Sequence, residues 1–389
     1  MSAKRLASLL SSYAVRHIWT EIEKQPIADK IEVPIRYIRS QFHLSYTDLS
    51  YIIMTGELVL VTGANGFVGS HVCRELLNKG YRIRVAVRSE SKANDVKKVN
   101  PQHKDRIESV IVPDITSSGA FDQAVQGCDY VMHIASPFTF DIKDNEKDLL
   151  LPAREGTKNI LQAASTHKSI KRVIITSSFA AVVDVSKGLR PGYTYTEKDW
   201  NPATWEEARK SDNPGFVYCA SKKFAEEEGW DFVKNRKPSF DITTICMPMV
   251  YGPVAHHIDS LDHLNESSMQ IWQIVNGKSN KIPETVFPGF VDVRDVAVAH
   301  VAALTTASAS NSRYLVSSGI YRFEQVTAIV NKKYPDRKLP EGDTSRLDCY
   351  DIDGSKAERE LLQRPYINFE KCISDEVEQL YELEKKTSK

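Results

Sequence analysis

Three glycines, Gly63, Gly66 and Gly69, punctuate the segment Glu57-Leu-Val-Leu-Val-Thr-Gly-Ala-Asn-Gly-Phe-Val-Gly-Ser-His-Val, and they constrain the chain more than any other feature. The apolar run Leu58 to Val61 reads as a buried strand that ends in a glycine turn. Phe67, Val68, Val72, Leu76 and Leu77 then recur at the spacing of one helical face. Strand, turn and helix in direct succession let backbone amides close on a pyrophosphate, whose charge the helix N-terminus favours. A bare glycine pattern is weak evidence, but one framed by strand and helix points to a nucleotide site rather than a plain tight turn.

The pattern downstream agrees. Arg82–Val87, Ser109–Val112, Asp129–Ile134, Arg172–Thr176 and Asp241–Cys246 read as further strands. Helical stretches separate them at Phe121–Val125, Leu149–Ala164 and Gly215–Lys234. Repeated strand–helix units imply right-handed crossovers and an α/β fold, a Rossmann-type doubly wound parallel sheet. Beyond Pro248 the pattern loosens, with helices expected at Met269–Val275, Val293–Leu304, Arg322–Lys333 and Cys372–Lys385. Residues 54–247 therefore read as mainly dinucleotide-binding, and 248–389 as mainly a smaller C-terminal substrate lobe over the cofactor mouth.

Composition narrows the function classes. The chain has 389 residues and zero formal net charge, which gives no reason to expect nucleic acid or an anionic membrane surface as partner. No stretch approaches the roughly 18 uninterrupted apolar residues of a membrane span. Six cysteines are scattered without a Cys-x-x-Cys pair and read as reduced packing thiols of a cytoplasmic protein. Residues 1–53 stand apart: Met1 to Thr20 lacks acidic residues, carries Lys4, Arg5 and Arg16, and can line Leu6, Leu9, Leu10 and Tyr13 on one helical face. This extension is either a mitochondrial presequence or a segment without a role, with Met54 as the working start. The second reading is favoured because acidic residues resume at Glu21.

Tyr218 and Lys222 lie four apart in Phe216-Val-Tyr-Cys-Ala-Ser-Lys-Lys-Phe-Ala-Glu, so they share a helical face. A phenol titrates near 10 and is a poor acid–base group at neutral pH, and a neighbouring ammonium is expected to lower that value. Thr176-Ser-Ser closes the fifth strand, at the edge where open α/β sheets bind ligands. Ser178 can donate a hydrogen bond to a carbonyl gaining negative charge, while Ser177 can point into the sheet and serve capping or packing.

With these elements in view the chain resembles the extended short-chain dehydrogenases/reductases. Within them it resembles the fungal NADPH-dependent methylglyoxal (3-methylbutanal) reductases and the dihydroflavonol reductase-like aldehyde/ketone reductases. The resemblance runs from about Met54 almost to the C-terminus. It is carried by Thr62-Gly-Ala-Asn-Gly-Phe-Val-Gly, Val112-Pro-Asp-Ile, Ala135-Ser-Pro-Phe-Thr-Phe-Asp-Ile and Thr176-Ser-Ser-Phe-Ala-Ala-Val. Trp200-Asn-Pro-Ala-Thr-Trp-Glu, Tyr218-Cys-Ala-Ser-Lys-Lys and Val291-Asp-Val-Arg-Asp-Val-Ala complete it. It implies Ser178, Tyr218 and Lys222 as the catalytic triad, with Tyr218 and Lys222 also at the cofactor. It places Gly63, Ala64, Asn65, Gly66, Phe67 and Val68 at the diphosphate and Asp114 and Ile115 at the adenine. Met249 and Ser267 fall near the nicotinamide and the substrate mouth, although Ser268 sits beside Ser267.

Cofactor choice follows from charge. Where an NAD site carries an acid after the second strand, this chain has Arg88, with Lys92 four residues on. Guanidinium and ammonium there suit a 2′-phosphate, provided Glu90 points to solvent, so NADP(H) is expected. Phe138 and Phe179 follow the fourth and fifth strands and can wall an apolar substrate pocket or simply pack in the core. His256, His257, Asp259, Asp262 and His263 crowd together without a zinc spacing, so no metal is expected. The chain thus reads as an NADPH-dependent reductase of small-molecule aldehydes, α-keto aldehydes or ketones, acting as a monomer or homodimer. A sugar-nucleotide epimerase or dehydratase of the same fold, or a non-catalytic NADPH-binding sensor, are the rival readings.

Overall fold

The computed structural model describes residues 56–136 and 142–387, and Glu57–Lys389 forms one compact unit. The residue 1–53 extension and Phe138 lie outside the described residues. β1 (Leu58–Thr62), β2 (Arg82–Val87), β3 (Ile107–Ile111), β4 (Tyr130–His133), β5 (Arg172–Ser178), β7 (Asp241–Met247) and β10 (Ser312–Leu315) make one parallel sheet. Its order is β10-β7-β5-β4-β1-β2-β3. The chain leaves β1 toward β2 on one side and returns to β4 on the other, so the direction of winding reverses at β1, the switch point where such sheets bind ligands.

Helices α1 (Phe67–Asn78), α2 (Glu90–Val99), α3 (Leu151–Ser165), α4 (Trp205–Lys210), α5 (Pro214–Arg236), α6 (Glu266–Val275), α7 (Val293–Ala303), α8 (Phe323–Lys333) and α9 (Phe369–Thr387) surround the sheet. α3 and α5 pack together, as do α1 and α7. Leu60, Val131, Ile160, Leu161, Val173, Ile175 and Ile242 build a core on the α3 and α5 side. Tyr251, Ile271, Trp272, Phe290, Tyr321, Val326 and Val377 build another. That second core gathers β8 (Met249–Tyr251) and β9 (Gly289–Asp292) with α6, α8 and α9. β11 (Gly319–Ile320) joins β9 and β8 in a small sheet, and β6 (Thr194–Tyr195) pairs with β12 (Asp351–Ile352).

Two expectations need correction, and one strand goes beyond them. Phe121–Val125 is a run of turns rather than a helix. Gly119 (φ +74°) and Gly127 (φ +72°) bracket it in left-handed backbone, yet Phe121, Ala124 and Val125 still reach the core. Leu149 and Leu150 belong to a wider turn, Glu146–Leu150, ahead of α3. β10 was not anticipated at all, because Ser312-Arg-Tyr-Leu is four residues long and carries a charge where a central strand is normally apolar. With β10 and α7 packed into the main body, residues beyond 248 complete the sheet as well as forming the second core.

The charge in β10 has a partner. Arg313 donates from Nε to Glu226 Oε1 (2.8 Å) and from Nη2 to Oε2 (3.1 Å), with Glu226 on α5 fully buried. Ser177 and Thr244 hydroxyls donate to the same carboxylate at 2.7 and 2.8 Å, and the guanidinium lies 3.8 Å from the Trp200 ring centroid. Removing one member strands a buried charge. Arg313→Met should therefore cost about 3–5 kcal/mol in urea unfolding, whereas Glu226→Met combined with Arg313→Met should cost less than the single change.

Candidate active site

The glycine loop is built by close approach. A Cβ on Gly69 would lie 2.1 Å from the Gly63 carbonyl oxygen, and Gly63 itself holds φ +68° against the Ala135 backbone. Thr62 fixes the neighbouring strand end: its Oγ1 accepts from Ile134 and Ala135 amides at 3.1 and 3.0 Å. Helix α1 then begins at Gly66 with no side-chain cap, so its first-turn amides are left to an anion. Phe67 and Val68, expected on the buried face, are half-exposed and line the cleft instead.

That cleft, about 640 Å³, lies at the carboxyl ends of β1, β4, β5 and β7. Ser178, Tyr218, Lys222, Met249 and Ser267 all border it alongside Gly63 and Gly66. Asn213 starts α5 by accepting from the Gly215 and Phe216 amides, and Pro214 occupies the first turn. Tyr218 and Lys222 therefore sit near the helix start and face the sheet edge. The Lys222 ammonium lies 5.3 Å from the Tyr218 ring centroid and donates to Ser136 Oγ at 2.6 Å.

The two serines of β5 separate cleanly. Ser177 turns inward to Glu226, and strand alternation sends Ser178 outward. Ser178 Oγ accepts from the Ala180 amide at 3.1 Å and lies within hydrogen-bonding reach of the Tyr218 phenol. The adjacent serines of α6 separate likewise: Ser267 lines the cleft, and Ser268 is fully buried beside Glu376.

The electrostatics differ from the sequence expectation. Burial raises the Tyr218 pKa well above the ordinary phenol value, with the Ser178 hydroxyl pulling weakly downward. Burial also pushes Lys222 down, to about 8. The lysine is engaged by Ser136, and desolvation outweighs any lowering of the phenol by its neighbour. Ser136 was the residue missed; its signal was its place in Ala135-Ser-Pro, just past β4.

The remaining residues lie around this centre. Arg88 is exposed at the end of β2, and its charge helps hold the Asp114 carboxyl below its usual range after the hydrogen bonds from Thr116. Lys92 is exposed near Asp95 at 3.5 Å, and Glu90 is exposed. Ile115 packs on α3 at Gly156 rather than opening to the cleft. Ala64, Asn65 and Lys92 line a neighbouring cleft of about 450 Å³ with His256 and His257. His257 is bound to Asp259 (2.6 Å) and Lys98 (3.0 Å), and no group of three possible ligands converges on a metal position among the described residues. Phe179 is buried among Tyr195 and Tyr350, with ring centroids 5.3 and 5.5 Å away, and also edges the cleft.

Known proteins are similar to this chain over most of its length. The sequence model of the NAD dependent epimerase/dehydratase family matches residues 59–317. The NADPH-dependent methylglyoxal reductase of Saccharomyces cerevisiae is 36% identical over 344 residues, covering 84% of this chain and 98% of that one. A Schizosaccharomyces pombe protein named as an oxidoreductase is 44% identical over 334 residues, covering 85% and 98%. The crystal structure of yeast methylglyoxal/isovaleraldehyde reductase complexed with NADPH superposes with a TM-score of 0.79 at 35% identity, covering 84% and 99%.

Burial of Lys222 has a measurable cost. Its folded pKa of about 8 lies below the ordinary 10.5, so between those values the unfolded chain binds more protons and stability rises with pH. Below pH 8 the penalty is present in full. Lys222→Met should stabilise the cofactor-free protein at pH 7 by on the order of 1–3 kcal/mol. Urea unfolding at pH 7 and pH 9.5 checks this, and the advantage should shrink at the higher pH.

Proposed function

The chain belongs to the NAD dependent epimerase/dehydratase family, and from that premise we propose that it reduces aldehydes, α-keto aldehydes or ketones to alcohols with NADPH. The observation that carries this reading is the meeting of Ser178, Tyr218 and Lys222 in one cleft walled by the glycine loop. The similar reductase structure complexed with NADPH supports the cofactor. So do the uncapped start of α1 and the exposed Arg88 and Lys92.

When bound, NADPH supplies the hydride that reduces the carbonyl carbon. The amides of Phe67 and Val68 would hold the diphosphate, Arg88 and Lys92 the 2′-phosphate, and Asp114 the adenine edge. Met249 and Ser267 border the reacting end. Ser178 donates a hydrogen bond to the carbonyl oxygen as charge grows there, and Tyr218 gives up its proton to the forming alkoxide. A phenol kept neutral by burial is fully loaded with that proton at pH 7. Lys222, held by Ser136, supplies the positive charge that stabilises the phenolate left behind. Retention of both Tyr218 and Lys222 favours an enzyme over a non-catalytic sensor.

Tyr218→Phe should lower kcat by about 10²–10⁴-fold, the contribution of a positioned general acid, while NADPH still quenches tryptophan fluorescence with an affinity close to the parent's. A variant turning over at near-full rate would remove this mechanism. Arg88→Ala should weaken NADPH by about 10–100-fold and leave NADH little changed, read by titration with each cofactor. Equal losses for both would argue against the 2′-phosphate assignment.

A further inference from the structure

The reaction cleft shares a wall with a second, larger cleft. Gly215, Glu284, Val286, Phe287 and Tyr350 line both spaces, and the second measures about 910 Å³. Val183, Val185, Leu189 and Phe216 share its remaining lining with polar residues such as Ser186, Ser211 and Asn213, and apolar surface still predominates in the space leading away from Tyr218.

Two side chains on the shared wall are out of place for a folded surface. Val286 is 63% exposed and Phe287 38%, and with Trp200 they are the large hydrophobic residues most exposed among the described residues. Trp200 has a structural role, covering the Arg313 guanidinium. Val286 and Phe287 belong to none of the described hydrophobic clusters. The backbone around them is nevertheless anchored: Thr285 Oγ1 accepts from the Phe323 amide at 3.0 Å, and the Pro288 carbonyl accepts from the Tyr321 amide at 2.7 Å. A fixed pair of exposed apolar side chains beside a reaction cleft is suited to an apolar ligand.

Resting on the reductase reading, we propose that Val286 and Phe287 are specificity-determining residues that hold an extended hydrocarbon tail of the carbonyl substrate. The tail leaves the reaction cleft across this pair and lies in the second cleft. The preferred substrate is then an uncharged aldehyde or ketone with a long apolar chain, not one of only a few carbons. A carboxylate at the end of the tail is disfavoured, because Glu207 and Glu284 border the second cleft and Lys210 is already paired with Glu206 at 2.6 Å.

The test is kcat/KM for straight-chain aldehydes from propanal to nonanal at saturating NADPH. Each methylene buried in full is worth about fourfold, so six methylenes in a half-open cleft should raise kcat/KM by about 30-fold or more. Val286→Asp and Phe287→Ser should each cut the nonanal-to-propanal ratio by about tenfold, and Phe287→Leu should restore most of it. A merely structural role would lower both substrates alike and leave the ratio standing, which would overturn the proposal. So would a flat series in the parent enzyme while propanal is still turned over. Failure to oxidise NADPH with any aldehyde or ketone would instead overturn the reductase reading, and the tail assignment with it.

Discussion

The buried pair of Glu226 and Arg313 is the contact on which the site geometry depends. Glu226 lies two helical turns beyond Tyr218 on α5, and Arg313 comes from the outermost strand of the sheet on that side. Between them they hold β5 through Ser177, β7 through Thr244 and the segment before α4 through the carbonyl of Glu197. Because Ser177 is fixed inward, Ser178 must face out, toward the phenol. A dry ion pair costs desolvation, and hydrophobic residues would often pack as stably. Here it ties the helix that carries Tyr218 to the strand that carries Ser178.

On the other side of the cleft the constraint is steric. Gly69 lets the first turn of α1 press against Gly63, and Thr62 pins the end of β4 alongside. The result sets α1's amides across from Tyr218 and Lys222 with no side chain capping them. Closing the cleft has an electrostatic consequence. The same burial that keeps Tyr218 protonated also disfavours the ammonium of Lys222, so both groups are displaced from their ordinary titration ranges in opposite directions.

Much of this was legible in the sequence because local signals and the global fold agree. The glycine turn, the alternation of strands and helices, and the four-residue spacing of Tyr218 and Lys222 each have short-range causes. What escaped was long-range. Nothing near Arg313 indicates that a carboxylate 87 residues earlier neutralises it, so the local pattern does not mark β10 as a strand. Ser136 became visible only when the fold brought the end of β4 to Lys222. The expectation that lysine would acidify the phenol counted a neighbouring charge and left out desolvation, which no spacing reveals. The packing of the Ile115 side chain over Gly156 is likewise a long-range contact that no spacing reveals.

The most direct measurement follows the hydride itself. Purified protein would be given NADPH deuterated at the transferring position of nicotinamide C4, with 3-methylbutanal and nonanal as substrates, and the product examined by mass spectrometry. The expected result is an alcohol carrying one deuterium on the former carbonyl carbon. NADPH oxidation that leaves the product unlabelled, or label retained in the cofactor with no alcohol formed, would contradict carbonyl reduction at this site.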